Sequence, residues 1–512
     1  MRIFKTVVGL RTYLKKKPVE QSLSLVPTMG ALHPGHISLI CRAVAETDIV
    51  VVSIFINPLQ FGSHDDLELY PRQWDRDCQL CRKLGVKVLF APTYQEMGMK
   101  NNLQEHITTV IPPLSMSSSL CGAFRPGHFS GVTTIVTKLL IMVTPDVAFF
   151  GEKDAQQLAI IKKLVRDLNL PVTIKGCPIV REPSGLAYSS RNQYLSQEER
   201  KQALILFKGL KKGQEAFDDG EHTAKRLLYI VRKELGSNSG VNIQYVSLVD
   251  PDTLVALDRI KDAGLLAVAA HVGSTRLIDN IILRMRQPII AIDGPAGAGK
   301  STVTRQVAKA LNLLYLDTGA MYRAIAWLVK HSEVSLDAPE AIAELVSQST
   351  LEFISTTDGT LPRIKINGED ITDAIRTPEV TALVSHVSAQ RVVRDKLVRY
   401  QQQFGKKGGL VAEGRDIGTN LFPDADLKIF LTASVAERAR RRWQEFQAQG
   451  HNRTTLEELE QEIKKRDYQD SHRSLAPLRQ AVDAIVINTE GLTIEEVTNK
   501  IIHFYHYHIV SY

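Results

Sequence analysis

Gly294-Pro295-Ala296-Gly297-Ala298-Gly299-Lys300-Ser301 begins only after almost three hundred residues, and it constrains the layout of the whole chain. Before it runs the apolar stretch Ile289–Asp293, and after it Val303, Val307 and Leu311 recur at helical spacing. Strand, glycine loop and helix in that order make a phosphate-binding P-loop. The glycines let backbone N–H groups converge on phosphate oxygens, Lys300 reaches the β/γ-phosphates and the Ser301 hydroxyl suits magnesium. Gly294, Gly297, Gly299, Lys300, Ser301 and Thr302 are the ATP contacts this pattern predicts. A P-loop normally opens its domain, so what precedes it belongs to another unit.

The 512 residues leave room for two to four domains, each with its own core. A composition 44% hydrophobic and 23% charged is ordinary for a globular protein. The net charge of +7 fits anionic small substrates, and without a long Lys/Arg block no nucleic-acid partner is expected. Cys41, Cys78, Cys81, Cys121 and Cys177 are odd in number and scattered. The single C-x-x-C, Cys78 and Cys81, reads as a helix face, and free thiols suit a reducing cytoplasm. The N-terminus lacks a signal-peptide pattern and no apolar run is long enough to cross a bilayer, so neither export nor a membrane partner is expected.

Residues 1–175 alternate β-branched runs (Ser22–Pro27, Ile49–Ile56, Val86–Ala91, Val147–Phe150) with amphipathic stretches, which predicts a doubly wound parallel α/β sheet. Residues 176–280 read as a small α+β subdomain, with helices over Ser196–Phe217 and His222–Leu235 and strands over Val241–Val249 and Leu265–Val272. Leu277–Gln287 reads as a short junction. The second unit, 285–512, has strands near Leu313–Leu316, Gly409–Ala412, Leu427–Leu431 and Ala484–Ile487, interrupted by a hairpin-like pattern over Leu351–Gly368. An insert over about 335–395 and a basic lid over about 437–475 are expected. The terminal His503, His506 and His508, lacking Cys or carboxylate partners, read as surface packing.

Pro27-Thr28-Met29-Gly30-Ala31-Leu32-His33-Pro34-Gly35-His36 follows the first long predicted strand and opens a helix. The H-x-x-H spacing sets two imidazoles beside a helix N-terminus, whose free N–H groups already favour anions. With Ile56–Gly62, Phe124–Phe129, Phe150–Gln157 and Arg181–Asn192, five blocks in order resemble the pantoate–β-alanine ligase family of the HIGH-motif nucleotidyltransferases over residues 1–280. That likeness implies a Rossmann-like fold and formation of pantothenate, AMP and diphosphate from ATP, (R)-pantoate and β-alanine by way of a pantoyl adenylate. It implies ATP contacts at Met29, Gly30, Ala31, Leu32, His33, Pro34, Gly35, His36, Gly151, Glu152, Lys153, Asp154, Val180, Tyr188, Ser189, Ser190 and Arg191, with Tyr188 where the family usually has Met. Gln60 and Gln157 would take pantoate. His33, His36, Lys153 and Arg191 would meet the charge on departing diphosphate, with His36 as general acid. Ser- and Gly-rich Pro112–Phe129 reads as a lid, and the family implies a homodimer through this half.

After the P-loop, Leu316–Arg323 and Glu413–Thr419 resemble cytidylate kinase over residues 287–505, a P-loop nucleoside monophosphate kinase that passes phosphate from ATP to CMP and dCMP. Phosphoryl transfer is largely positioning and charge neutralisation, which suits the Arg-rich stretches at 437–442 and 465–473. By matching positions, Arg323, Arg415 and Arg466 would grip the acceptor phosphate, with Asp470 near the sugar. Ser385, Arg394, Asp416 and Arg473 would surround cytosine, and Thr318 and Tyr322 would complete the pocket. Lys300 is the catalytic cation, and magnesium at Ser301 is the one cofactor implied. Two other classes stay open from the residues alone. A tRNA-charging enzyme shares the HIGH site but needs a full KMSKS-type loop and an anticodon module, and a nucleotide-sensing switch would bind without turnover.

Overall fold

The computed structural model describes residues 1–18, 21–61, 67, 70–99, 107–355, 360–448, 455–473 and 475–510. Gly62 of the Ile56–Gly62 block, residues 356–359 of the insert, and 449–454 and 474 of the lid span lie outside the described residues. The chain divides into two compact units, Met1–Met285 and Arg286–Tyr512.

In the first unit β1 (Arg2–Phe4), β2 (Leu23–Thr28), β3 (Ile49–Ile54), β4 (Val88–Phe90), β5 (Val147–Gly151) and β6 (Thr173–Cys177) form one sheet in the order β1-β4-β3-β2-β5-β6. All pairings are parallel. Val50, Val51 and Val52 are all buried, the run of apolar residues expected of a strand covered on both faces. The edge strands β1 and β6 escaped the sequence reading because one has three residues and the other carries Lys175 and Gly176. Cys78 and Cys81 sit on the core face of helix Trp74–Lys83, as read.

β7 (Val241–Val249), β8 (Ala263–Val272) and β9 (Thr275–Arg284) form an antiparallel meander beneath helices Gln197–Asp218 and Ala224–Leu235. Gly209 and Gly213 let those layers close: a Cβ at Gly209 would lie 2.4 Å from Leu235 Cδ1. Here the structure corrects the sequence reading. Leu277–Gln287 is not a junction; most of it is β9, joined to β8 by the two-residue loop Gly273-Ser274, a hairpin signal that the reading passed over.

The second unit is built on β10 (Ile289–Asp293), β11 (Leu314–Asp317), β15 (Leu410–Gly414), β16 (Leu427–Thr432) and β17 (Ile485–Asn488), a parallel sheet in the order β11-β15-β10-β16-β17. β10, the P-loop strand, is central and buried throughout. The expected hairpin is a three-stranded antiparallel sheet: β12 (Leu351–Ile354), β13 (Arg363–Ile366) and β14 (Glu369–Asp370). Leu351 and Phe353 point to the core and Glu352 and Ile354 to solvent, the period of two that betrayed it. Among the described residues no helix is long and apolar enough to cross a membrane.

Candidate active sites

In the first unit the helix Pro34–Glu46 follows β2 across the loop of residues 29–33, with His33 as its N-cap. His33 Nδ1 accepts from Gly35 N–H at 3.1 Å, and His36 Nδ1 accepts from His33 N–H at 3.4 Å, a capping box made of two imidazoles. Their ring centroids are 4.1 Å apart. Since each Nδ1 accepts, each Nε2 carries the proton. Desolvation, the neighbouring His36 ring and Lys153 push His33 down to about 3, and desolvation with Lys153 pushes His36 down to about 4. Both rings are neutral at physiological pH. Gly35 is required for steric reasons, because a Cβ there would lie 2.9 Å from His33 Cε1.

The loop before the cap is fixed by a residue that sequence reasoning missed. Asp77, buried on helix Trp74–Lys83, accepts from Ala31 N–H at 2.8 Å and Leu32 N–H at 2.9 Å. Gly30 (φ 82°) and Ala31 (φ 50°) take left-handed backbone here, so the carboxylate holds a turn that would otherwise relax.

Lys153 and Asp154 lie on the turn Glu152–Asp154 that leaves β5. Tyr188–Arg191 follows a small hairpin in which Arg181 bridges Ala187 and Tyr188 N–H donates to the Val180 carbonyl at 3.0 Å. Ser189 caps the next turn by accepting from Arg191 N–H at 3.3 Å. Lys153, Asp154, Gln157 and Arg191 line one cavity of about 50 Å³, with Arg125, His128 and Arg276 beside them. Gln60 enters differently. Its amide donates to Met29 Sδ (2.9 Å) and accepts from Asn57 Nδ2 (3.1 Å), while its carbonyl takes Arg125 (3.1 Å) and His128 (2.7 Å). Asn57, Arg125 and His128 received no role from the sequence, although their blocks had been singled out. In the expected lid, Gln156 rather than Gln157 holds the chain: its Nε2 donates to Met116 and Ser119 carbonyls and its Oε1 accepts from Cys121 N–H.

In the second unit one cleft of about 980 Å³ gathers nearly every nominated residue. Gly297, Gly299, Lys300, Ser301 and Thr302 form one end, and Thr318, Tyr322, Arg323, Ser385, Arg394, Arg415, Asp416, Arg466, Asp470 and Arg473 the rest. Gly294 does not line it. That glycine (φ 149°) packs against β16, where a Cβ would lie 2.2 Å from the Leu431 carbonyl oxygen. Lys300 Nζ donates to the Pro295 carbonyl at 2.7 Å.

The far end is a lattice of buried charge. Asp416 takes Arg394 (3.2 Å) on one oxygen and Arg473 (3.0 Å) on the other, and Arg394 lies over the Tyr322 ring. Arg415 pairs with Asp470 at 2.8 Å and Arg323 with Asp317 at 2.9 Å. Cations outnumber what these carboxylates neutralise. Burial and the Arg415 charge pull Arg466 below the ordinary guanidinium range, and burial with Arg394 brings Arg473 down to about 10. Arg323 Nε and Arg466 Nε are buried donors with no hydrogen-bond partner. A site so built is short of an anion.

The basic helix Val435–Ala448 separates by environment. Arg438 is buried, held by Asp467 (3.1 and 2.5 Å) and by the P-loop carbonyl of Ala296 (2.9 Å), so it shapes the loop. Arg440 is half exposed and pairs with Glu437, an ordinary solvated face, whereas Arg441 and Arg442 line the cleft. Sequence reasoning also missed Glu413, buried at the end of β15. It accepts from the Tyr315 hydroxyl and hydrogen-bonds the Ser301 side chain, and burial and Asp317 raise its pKa.

Residues 2–282 match the pantoate-beta-alanine ligase family, and residues 290–507 the cytidylate kinase family. The first unit is similar to a solved pantothenate synthetase from Thermus thermophilus, 41% identical with a TM-score of 0.52, covering 55% of this chain and 99% of that one. Along the whole length, a bifunctional pantoate ligase/cytidylate kinase of Trichormus variabilis is 54% identical over 527 residues, covering 99% of each chain. Its counterpart in a Synechocystis species is 54% identical over 508 residues, again covering 99% of each. A likeness that runs through both units in one order, over sites of this geometry, places the chain in the family of bifunctional pantoate ligase/cytidylate kinases.

Proposed function

We propose that the two sites break ATP at different phosphorus atoms: the first at the α-phosphorus, to activate pantoate, and the second at the γ-phosphorus, to phosphorylate CMP and dCMP. The observation that supports this best is the contrast between the sites. One offers neutral imidazole donors at a helix N-terminus, and the other a P-loop facing a cluster of guanidinium groups in which Arg323 Nε and Arg466 Nε are buried donors without a partner.

In the first, a carboxylate oxygen of pantoate attacks the α-phosphorus and diphosphate leaves. The β-alanine amine then attacks the acyl carbon, loses a proton, and AMP departs with the carboxylate oxygen. Diphosphate leaves as an anion and needs charge stabilisation rather than a proton. Neutral His33 and His36 would supply it as Nε2–H donors, with Lys153 near enough to act on both rings and Arg191 lining a cavity with Lys153. In this reading His36, which burial and Lys153 hold neutral, serves as an Nε2–H donor rather than as the general acid expected from the sequence. Gln157 and the Arg125–His128–Gln60 cluster would orient pantoate.

In the second, the P-loop and Lys300 would hold the triphosphate while Arg323, Arg415 and Arg466 take the acceptor phosphate. Asp416, fixed from both sides by Arg394 and Arg473, would accept from the exocyclic amine of cytosine, which uracil lacks. The oxygen donors Ser301 and Glu413 suit magnesium, a hard cation. When bound, it supplies charge neutralisation at the β- and γ-phosphates.

Isotope transfer tests the adenylate route. Pantoate labelled with ¹⁸O on both carboxylate oxygens should deliver one labelled oxygen to AMP and retain one in the pantothenate amide. AMP free of label would exclude a pantoyl adenylate.

A further inference from the structure

Within β9 the run Leu277-Ile278-Asp279-Asn280-Ile281-Ile282-Leu283 carries two consecutive polar residues among apolar ones, and both are buried. Neighbouring strand residues face opposite sides of a sheet, so burying both amid aliphatic neighbours breaks the strand's pattern twice. Each has a specific partner. Asn280 Nδ2 donates to the carbonyls of Glu152 (3.1 Å) and Lys153 (2.9 Å), two successive units of the turn that presents Lys153. Asp279 grips Arg181 through both oxygens (2.6 and 2.9 Å). Arg181 lies 3.9 Å over the Phe207 ring and donates to the Gly185 carbonyl, which fixes the base of the hairpin leading into Tyr188–Arg191.

The two segments proposed to supply Lys153 and Arg191 come from distant parts of the chain, yet both are tied to adjacent residues of one strand. We infer that Asp279 and Asn280 are positioning residues for the ligase reaction: they set the spacing of the Lys153 and Arg191 cations, so that the meander β7–β9 is the template on which the diphosphate-leaving end of the site is assembled. Both border the cavity that Lys153 and Arg191 line, with their polar atoms committed to the contacts above. Asn280 acts through the backbone of residues 152–153 and Asp279 through Arg181. This inference rests on the roles proposed above for Lys153 and Arg191.

The test separates the half-reactions in the full-length protein, with CDP formation by the same chain as the measure of protein amount and the unfolding midpoint of the ligase unit as the measure of its folding. Asn280→Asp keeps the side-chain shape but sets a carboxylate against two carbonyl oxygens, and Arg181→Lys removes the two-pronged grip with little change in volume. Diphosphate release from ATP and pantoate should fall on the order of ten- to a hundredfold in both variants, the effect of misplacing a stabilising group by a fraction of an ångström to one ångström. Aminolysis of added pantoyl adenylate by β-alanine should stay within twofold. Should Asn280→Asp fail to fold, Arg181→Lys carries the test. If Lys153→Met abolishes diphosphate release while both positioning variants stay within twofold of the parent, the inference is overturned. Equal losses in the two half-reactions, tracking a loss of folded ligase unit, would also overturn it by reducing these residues to scaffold. Release that survives Lys153→Met unchanged would instead overturn the site reading, and this inference with it.

Discussion

Lys300→Ala should reduce CDP formation by at least about a hundredfold while pantothenate formation stays within twofold of the parent. Loss of one preorganised donor to a transferring phosphoryl group costs on this order, and Lys300 is the side-chain cation of the P-loop itself. It opens the helix Lys300–Ala310 that follows the P-loop and is buried within the influence of Arg415, Glu413 and Asp293, with burial and Arg415 pulling its pKa down. A bound anionic triphosphate would favour its charged form. Nothing in the first unit uses a P-loop, so the ligase assay on the same sample is an internal standard. His36→Ala should do the reverse, removing an Nε2–H donor from the α-phosphate chemistry and leaving CDP formation intact. Assays of both products on both variants decide the matter, and equal loss of the two activities in either variant would refute the assignment of separate sites.

Asp416→Ala should have the largest effect on stability. Asp416 is the shared counter-charge of Arg394 and Arg473, both largely removed from water. Removing one partner of a buried ion pair leaves an uncompensated charge and costs about 3–5 kcal/mol. The unfolding midpoint of the kinase unit should drop accordingly in denaturant titrations. Asp416→Asn is the milder variant and reads specificity. Its amide keeps an acceptor but adds a donor that can reach the O4 of uracil, so the CMP preference over UMP should shrink by roughly 5- to 150-fold, the equivalent of about 1–3 kcal/mol of base discrimination. An unchanged kcat/KM ratio for the two nucleotides would place cytosine recognition elsewhere in the cleft.

Much of this architecture is legible in the sequence because its local signals agree with its tertiary role. The β-branched run Val50–Val52 signals a strand, and Gly294 to Ser301 between a strand and a helix has one common use. The alternation of Leu351–Ile354 announces a sheet open to solvent on one side. What stays illegible is long-range. Asp77 looks like any acidic residue in the first turn of a helix, and only the fold reveals that it holds Ala31 and Leu32. Glu413 was read as part of a block, without its contacts to Tyr315 and Ser301. β9 was mistaken for a junction because its Asp-Asn pair and flanking arginines dilute the apolar pattern. Those same polar residues carry the contacts to Glu152, Lys153 and Arg181. Protonation also lies beyond spacing: H-x-x-H gives two imidazoles, but the capping geometry and burial make both of them neutral.

Independent cleavage of ATP at two positions by one chain is tested most directly by a product balance. With ATP, pantoate, β-alanine and CMP supplied together, AMP should equal pantothenate and ADP should equal CDP, mole for mole. Omitting CMP should abolish ADP without changing AMP. Pantothenate accompanied by ADP in place of AMP, or CDP formation that stops when pantoate is withheld, would contradict it.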